Sequence, residues 1–553
     1  MTIAPWENEK GTGIMKRRMF TCSIAIACAA LACAGAHGIE AVGVVYNDRN
    51  GNGMRDPGEK GLPNVLVSNG VDIVKTGAGG QYRLSATDDT TFFVIKPAGW
   101  TTPTGPGNNI PRFYYIHKPK GSPAMKYAGV APTGPLPASI DFPLRRQKES
   151  ARFRMICFGD TQTRDIEEVE FVAHDLLEDL AGTDAAFGVT LGDIVFNDLS
   201  VFEPLVAMMS RTGIPWRYVP GNHDHHHDAP TPENADDAFE RVFGPPYYAF
   251  NYGKVHFIVL NDIRHEAGRE EYRGGLGERQ RAFVKNDLAH VSPDRLIVLL
   301  MHIPIHYLDD RTALYELLKD FPHTFSISAH THRQEHVFLG HAHGWPQSTP
   351  HHHLINATAC GSWWGGFFGE TGIPETTMSD GAPNGYSIVS FDGTKYAVEF
   401  RAAQRPPDYQ MSISLPGRIA AANLRATQPV VNVFAGSSRS TVEMRVDGAG
   451  AWTPMQSFTG KDPYYCSLYG RQEFIVRKWA EARGAKEIDD AFIRKTLNEF
   501  EDVFRRFPKP ADTPHLWRAN LPDPLAPGPH TLEVRTRDMF GQTYTARRYF
   551  VVE

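Results

Sequence analysis

Cysteine is scarce in this chain: six in 553 residues. Three of them, Cys22, Cys28 and Cys33, fall in the first stretch of the sequence, which reads as a removable leader. Cys157, Cys360 and Cys466 remain, and an odd number cannot all pair within one chain. A disulfide scaffold is therefore excluded, although one bridge is possible, and Cys157 reads as a small apolar residue in a strand. A basic excess is lacking too. The net charge is −6, which leaves no electrostatic footprint for nucleic acid. Long apolar runs are confined to Met19 to Ala34, which is short for a bilayer span. With Lys16-Arg-Arg18 before it and Ala34-Gly-Ala36 after it, this run reads as a signal peptide over residues 1–36, its start being Met1 or Met15. A lipid anchor at Cys33 would want Leu three residues earlier, where Ala30 stands. The expected location is periplasmic or extracellular, with no stable transmembrane segment after cleavage.

The length asks for two to four domains. Residues 37–148 are rich in Gly, Pro, Thr and Asn, with short β-type runs such as AVGVVY and TFFVIKP. They read as an N-terminal β-sandwich. From 151 to 402 apolar strands alternate with amphipathic stretches such as IEEVEFVAHDLLEDLAG, the pattern of a layered α/β domain. Residues 403–553 read as a β-rich, sandwich-like C-terminal domain with a helical insertion near 471–507. No internal repeat is present at a solenoid period.

The N-terminal region contains Asp48-Arg-Asn-Gly-Asn-Gly-Met-Arg-Asp-Pro-Gly-Glu59. Asp48, Asn50, Asn52 and Asp56 occupy positions 1, 3, 5 and 9 of the calcium-loop template. Gly53 stands at its sharp turn and Glu59 at its bidentate position. The flanks are strand-like, so this is no helix-loop-helix sensor. It resembles the B-type repeats of bacterial surface adhesins, in which calcium stiffens a β-sandwich. A Gly/Asn-rich hairpin without an ion is the plainer alternative.

Histidine is the compositional outlier, with 23 residues. Five apolar strands of the middle region each end in residues of metal-binding type. FRMICFGD ends at Asp160, two residues before Gln162, and AAFGVTLGD ends at Asp193. WRYVPGNHD carries Asn222, His223 and Asp224. RLIVLLMH ends at His302, and TFSISAHTH at His330 and His332. Sites in α/β sheets form beyond the C-terminal edges of the strands, so these five tips are expected to converge. The runs His225–His227 and His351–His353 read as solvated loops.

The order GD-x-Q, GD, GNHD, H, H-x-H, with FGPPYYAFNYGKVHFIVL, NATACGSWWGG and DGAPNGY around it, resembles the calcineurin-like metallophosphoesterases, in the secreted branch with N- and C-terminal accessory domains. The resemblance implies two stacked mixed sheets flanked by helices, and two divalent metal ions (Mn, Fe or Zn, with Mn favoured). Asp160, His332 and Gln162 would serve one ion, Asn222, His302 and His330 the other, and Asp193 would bridge them. The implied reaction is hydrolysis of a phosphate mono- or diester by a metal-bridging hydroxide, the substrate being a small-molecule, lipid or glycan phosphoester. His223 is assigned as the acid for the leaving group, with Asp224 holding its ring. Trp363 and Trp364 are candidates for stacking on substrate, with ordinary packing as the alternative. Purple acid phosphatases carry an iron-binding Tyr three residues after the bridging Asp; Phe196 stands there and cannot ligate. Two other functions compete: a cell-surface binding protein whose middle domain is inactive, and a metal-dependent nuclease, which the acidic balance does not favour.

Overall fold

The computed structural model describes residues 39–265, 271–448, 450–484, 489–499 and 504–553. The signal peptide expected over residues 1–36 lies outside the described residues.

The middle of the chain forms two stacked sheets. The first runs Trp216–Val219, Phe187–Leu191, Arg152–Phe158, Gly385–Asp392, Lys395–Ala402. Its first three strands are parallel, and Gly385–Asp392 joins antiparallel. The second runs Tyr248–Tyr252, Val255–Val259, Leu296–Leu300, Thr324–Ser328, His351–Ile355, Glu335–Leu339. Phe187–Leu191, Val255–Val259 and Leu296–Leu300 are buried at every position, as strands covered on both faces must be. The helices Ile166–Val172, Phe202–Met209, Gly277–Leu288 and Arg311–Leu318 make the crossovers. Asp165 caps the first, accepting from the Glu168 amide at 3.0 Å, a bond that stabilises a helix start by about 1 kcal/mol.

Aromatic rings join the two sheets. Phe153, Phe187 and Phe391 of one sheet meet Phe250 and Phe257 of the other, with Phe187–Phe257 centroids 5.4 Å apart and Phe257–Phe391 5.6 Å apart. Such edge-to-face pairs add about 0.5–1.5 kcal/mol beyond the area they bury.

Two four-stranded sheets precede this centre. Their alternation, clearest in Gln81–Ala86, is that of sheets with one face covered. Their core is continuous with that of the second central sheet. The buried Lys96 bonds Glu149 at 2.6 Å and the Asn251 carbonyl at 2.7 Å, and Lys118 pairs with buried Asp237. The C-terminal sheets, of four and five strands, have a separate core around Val431, Met444, Trp517 and Val534. The helical insertion starts earlier than its charge pattern suggests, at Pro463, because Asp462 caps the Tyr465 amide at 2.7 Å.

His351–His353 is a buried strand, and the solvated-loop reading is overturned. Hydroxyls on the neighbouring strand explain it. His351 lies 2.8 Å from Thr324 Oγ1 and 2.7 Å from Ser326 Oγ, and His353 lies 2.7 and 3.0 Å from Ser326 and Ser328. His352 bridges His336 and the Tyr396 hydroxyl. With every ring partnered, burying three imidazoles costs little. Cys157, Cys360 and Cys466 are free thiols. Among the described residues no helix is long and apolar enough to cross a membrane.

Candidate metal centre

The five strand tips meet at one end of the stacked sheets, as their order in the sequence anticipates. Their approach is close enough to dictate two glycines. A Cβ on Gly192 would lie 2.6 Å from His302 Nδ1, and one on Gly221 would lie 2.0 Å from the Asp193 amide nitrogen. The backbone is strained at the same place. Asp160, Gln162, Asp193, Asn197, His330, His332, Trp363 and Trp364 all have φ between 24° and 69°, a region that costs a non-glycine residue about 1–3 kcal/mol. They are eight of the twelve such residues described in the chain, so the strain belongs to the site rather than to turns in general.

Around His302 Nε2 stand Asn222 Oδ1 at 3.1 Å, His330 Nδ1 at 3.0 Å and Asp193 Oδ1 at 3.3 Å. The other His302 nitrogen, Nδ1, donates to the Leu191 carbonyl at 2.8 Å, which leaves Nε2 as a lone-pair donor. His332 repeats the device: Nδ1 donates to the Gly361 carbonyl at 2.6 Å, and Nε2 lies 3.8 Å from Asp160 Oδ1. Donor atoms of Asp193, His302 and His330 all fall within 4.8 Å of one another. Asp160 Oδ1 is buried with no hydrogen-bond partner, while its Oδ2 accepts from the His330 amide at 3.0 Å. Lone pairs and carboxylate oxygens facing one another need a cation between them. The residues thus fit the pair of divalent ions.

The titration behaviour has the same cause. Burial would lower the pKa of His302, but Asp193 beside it, then Asp160 and Asp262, raise it to about 10. Burial opposes ionisation of Asp193, yet His302 and His223 hold it well below the usual carboxylate range. Burial pushes Asp160 well up, with His302 opposing and Asp193 adding to the rise. His332 falls to about 4, chiefly through burial. Positive charge is favoured on His302, where the acceptors meet, while burial and then the charge on His302 lower His330 to about 3, so that His330 and His332 stay neutral.

His223 sits at the edge of this cluster, its Nε2 4.0 Å from Asp193 Oδ2. Its backbone amide donates to Asp193 Oδ1 at 2.9 Å. The expected role of Asp224 in holding the ring is corrected. Asp224 is fully buried, and its carboxylate accepts from the amides of Gly221, Ile194 and Val195 at 2.8 to 3.1 Å. It ties the Asp193 loop to the Asn222 loop. The ring is instead held by Asn197, whose Oδ1 accepts from His223 Nδ1 at 2.7 Å. Phe196 stacks on the imidazole at 4.5 Å, and Arg164 lies 4.8 Å over Phe196. Sequence reasoning missed Asn197, which follows Asp193 by four residues. It also missed Asp262, at the tip of Val255–Val259, which holds the backbone of His302 and Ile303 from a fully buried position.

The remaining candidates divide. Gln162 points inward, with Nε2 3.2 Å from Asp193 Oδ2 and Oε1 3.7 Å from Cys360 Sγ. Trp363 stacks on His332 at 3.9 Å and is partly exposed. Trp364 is fully buried against Phe171 and donates to the Thr161 carbonyl at 3.1 Å. Of the tryptophan pair, only Trp363 can meet a substrate. His225 and His226 are buried rather than solvated. The Asp48–Glu59 loop lies away from the centre, in the N-terminal sheets. Asp48 accepts from Gly51 and Gly53, Asp56 accepts from the amides of Asn50 and Asn52, and Glu59 accepts from Arg49 and Asp56.

A charged network ties the rim to the C-terminal region. Phe504–Arg505 pairs with Gly366–Phe367. Arg505 reaches Glu168 at 2.7 Å and Glu167 at 2.8 Å, and Arg164 bonds both Glu168 at 2.7 Å and the Trp363 carbonyl at 3.0 Å.

Comparison with known families and proteins follows the same divisions. Residues 49–128 match the N terminal of Calcineurin-like phosphoesterase, residues 153–334 Calcineurin-like phosphoesterase, and residues 353–544 its C terminal. A short stretch is similar to probable rhamnogalacturonate lyase B. It is 39% identical over 66 residues to that of Neosartorya fischeri and 42% over 64 residues to that of Aspergillus flavus. Each match covers 12% of this chain and 9% of the lyase. Among solved structures, a purple acid phosphatase isolated from yellow lupin (Lupinus luteus) seeds superposes with a TM-score of 0.33 and 12% identity, over 62% of this chain and 67% of that one.

Proposed function

Since the chain belongs to the calcineurin-like phosphoesterases, with the N- and C-terminal regions of that family, we propose that it is an exported hydrolase of phosphate mono- or diesters that works with two divalent ions. The observation that carries this reading is the ring of acceptors around His302 Nε2, made by Asn222, His330 and Asp193. Asp160, His332 and Gln162 would serve one ion, Asn222, His302 and His330 the other, and Asp193 both. When bound, the ions supply charge neutralisation for the phosphoryl oxygens and activation of water. Because Asn197 Oδ1 keeps the Nδ1 proton of His223 in place, Nε2 is the atom that gains and loses a proton. It faces the cluster, where a leaving oxygen can be protonated. Trp363 offers an aromatic face beside His332 for the alcohol portion of the ester. The basic run at 16–18 and the A-x-A motif at 34–36 support export. The decisive screen sets the purified protein, with Mn²⁺, Zn²⁺ or Fe²⁺, against aryl monoester, aryl diester and glycerophosphodiester substrates. No turnover of any class with any metal would overturn the reading.

Gln162 replaces an imidazole nitrogen with a neutral amide. A site made of Asp160, Asp193 and a single imidazole favours harder ions such as Mn²⁺ and holds them loosely. Gln162→His is expected to tighten binding at that site and to move activity toward Zn²⁺. Unchanged affinity and metal ranking would make Gln162 a bystander.

The Asp48–Glu59 loop is the proposed calcium site, since its spacing matches all the ligand positions of the template. Calcium is expected to raise Tm of the full chain, and Glu59→Gln to abolish that gain without affecting turnover. Absence of calcium uptake at millimolar concentration in calorimetric titration would end this proposal.

A further inference from the structure

Behind His223, outside the ligand set described above, a second group of donors is buried without its hydrogen bonds. His225 is 2% exposed, and neither of its ring nitrogens has a hydrogen-bond partner. His265 packs on it with ring centroids 4.3 Å apart, and both of its ring nitrogens are likewise buried and unbonded. Asp236 Oδ1 lies 2.9 Å from His225 Nδ1, yet it too is without a hydrogen bond. Its other oxygen is held by Asn261 Nδ2 at 2.9 Å. His227 stands at the side of His265, with centroids 5.9 Å apart.

Four ring nitrogens buried without a hydrogen bond, with only the 2.9 Å approach of Asp236 Oδ1 to His225 Nδ1 to offset them, are costly to desolvate. His351, His352 and His353 avoid that cost on their strand, whereas His226, beside His225, is likewise buried with both ring nitrogens unbonded. A carboxylate oxygen near 3 Å from a ring nitrogen, without hydrogen-bond geometry, matches the separation of about 3.3 Å between two donors that share a tetrahedral ion at about 2.0–2.1 Å. A second carboxylate oxygen anchored by an amide is the usual outer support of such a ligand.

From this geometry we infer a third metal site, formed by His225, His265 and Asp236 and selective for an ion of the Zn²⁺ type. The donor set, two imidazole nitrogens and one carboxylate, suits Zn²⁺ better than Mg²⁺ or Ca²⁺. Unlike Asp193, His302 and His330, these three residues do not bring their donor atoms within 4.8 Å of one another, so ion binding has to draw the His265 ring inward. The consequence is local. Asn197 Oδ1 lies 2.7 Å from His223 Nδ1 and 3.1 Å from His227 Nε2, so an ion at this site stiffens the loop that carries His223.

The test counts the Zn²⁺ ions bound to the full chain at equilibrium with excess free Zn²⁺, by equilibrium dialysis, so that the loosely held ion beside Gln162 is counted too. The wild type is expected to hold about three ions per chain. His225→Ala and His265→Ala should each hold about two, and Asp193→Asn about one. His265 is partly exposed, so its variant serves if His225→Ala does not fold. Co²⁺ loaded into Asp193→Asn should give the visible absorption of a tetrahedral site, and His265→Ala in that background should remove it. A wild type with no more than two ions, unchanged by His265→Ala, overturns the inference, as does an Asp193→Asn protein without a bound ion. A wild type and an Asp193→Asn protein that both hold one ion would instead count against the dinuclear centre and leave this site standing.

Discussion

His223→Asn is expected to lower kcat by about 10²–10⁴-fold, the range for a lost general acid, while metal content stays at the wild-type level. The contact of residue 223 with the metal ligands that survives substitution is made by its backbone. The amide donates to Asp193 Oδ1 at 2.9 Å, whereas the ring stays 4.0 Å from Asp193 Oδ2. Asn keeps the first and removes the titrating nitrogen. Activated aryl esters, whose leaving groups need little protonation, should lose less than alkyl esters. Metal loss in this variant would make His223 a ligand, and equal losses on both ester types would remove its acid role. Asn197→Ala should reproduce part of the effect and shift the pH profile, since it takes away the acceptor that fixes the Nδ1 proton.

Asp193→Asn should be more severe. Asp193 faces His302 at 3.3 Å, Gln162 at 3.2 Å and the His223 amide at 2.9 Å. In the proposed two-ion centre it is the carboxylate that both halves share. Loss of a supporting partner around a metal typically costs about 10–100-fold in affinity or activity; loss of the shared ligand should exceed that and empty both positions together. The amide retains an oxygen for the His223 N–H, so the fold should persist, which circular dichroism can verify. An Asp193→Asn enzyme that keeps two ions at His302 and His332 would show that the carboxylate is not shared.

The strand tips were legible because the chain writes them plainly. A largely buried apolar strand ends within three residues in Asp, Asn or His, and in a layered α/β fold such ends converge. The two partners of His223 were not legible in the same way. Asp224 is its neighbour in sequence, but the turn after Trp216–Val219 directs that carboxylate into three backbone amides. Asn197 comes from a different loop, brought near only by the parallel pairing of Phe187–Leu191 with Trp216–Val219. His351–His353 misled for a related reason. A run of imidazoles looks solvated until the hydroxyls of Thr324, Ser326 and Ser328 appear on the adjacent strand. Trp363 and Trp364 are consecutive and equivalent in composition, yet one packs on His332 and the other on Phe171. Local pattern located the site; which side of each loop faced it depended on contacts between distant segments.

The pairing of Phe504–Arg505 with Gly366–Phe367 bears on how such a protein can be taken apart. Arg505 neutralises Glu168, which is buried beside Arg164, and Arg164 in turn holds the Trp363 carbonyl. Proteolysis or gene truncation after Ala402 would strand that carboxylate without one of its two cations and free an edge beside the tryptophan loop. Residues 151–402 alone contain every proposed ligand of the two-ion centre, yet an excised catalytic domain should show impaired selectivity among esters before it shows impaired metal binding. For this enzyme the boundary of the chemistry and the boundary of the separable module are different lines.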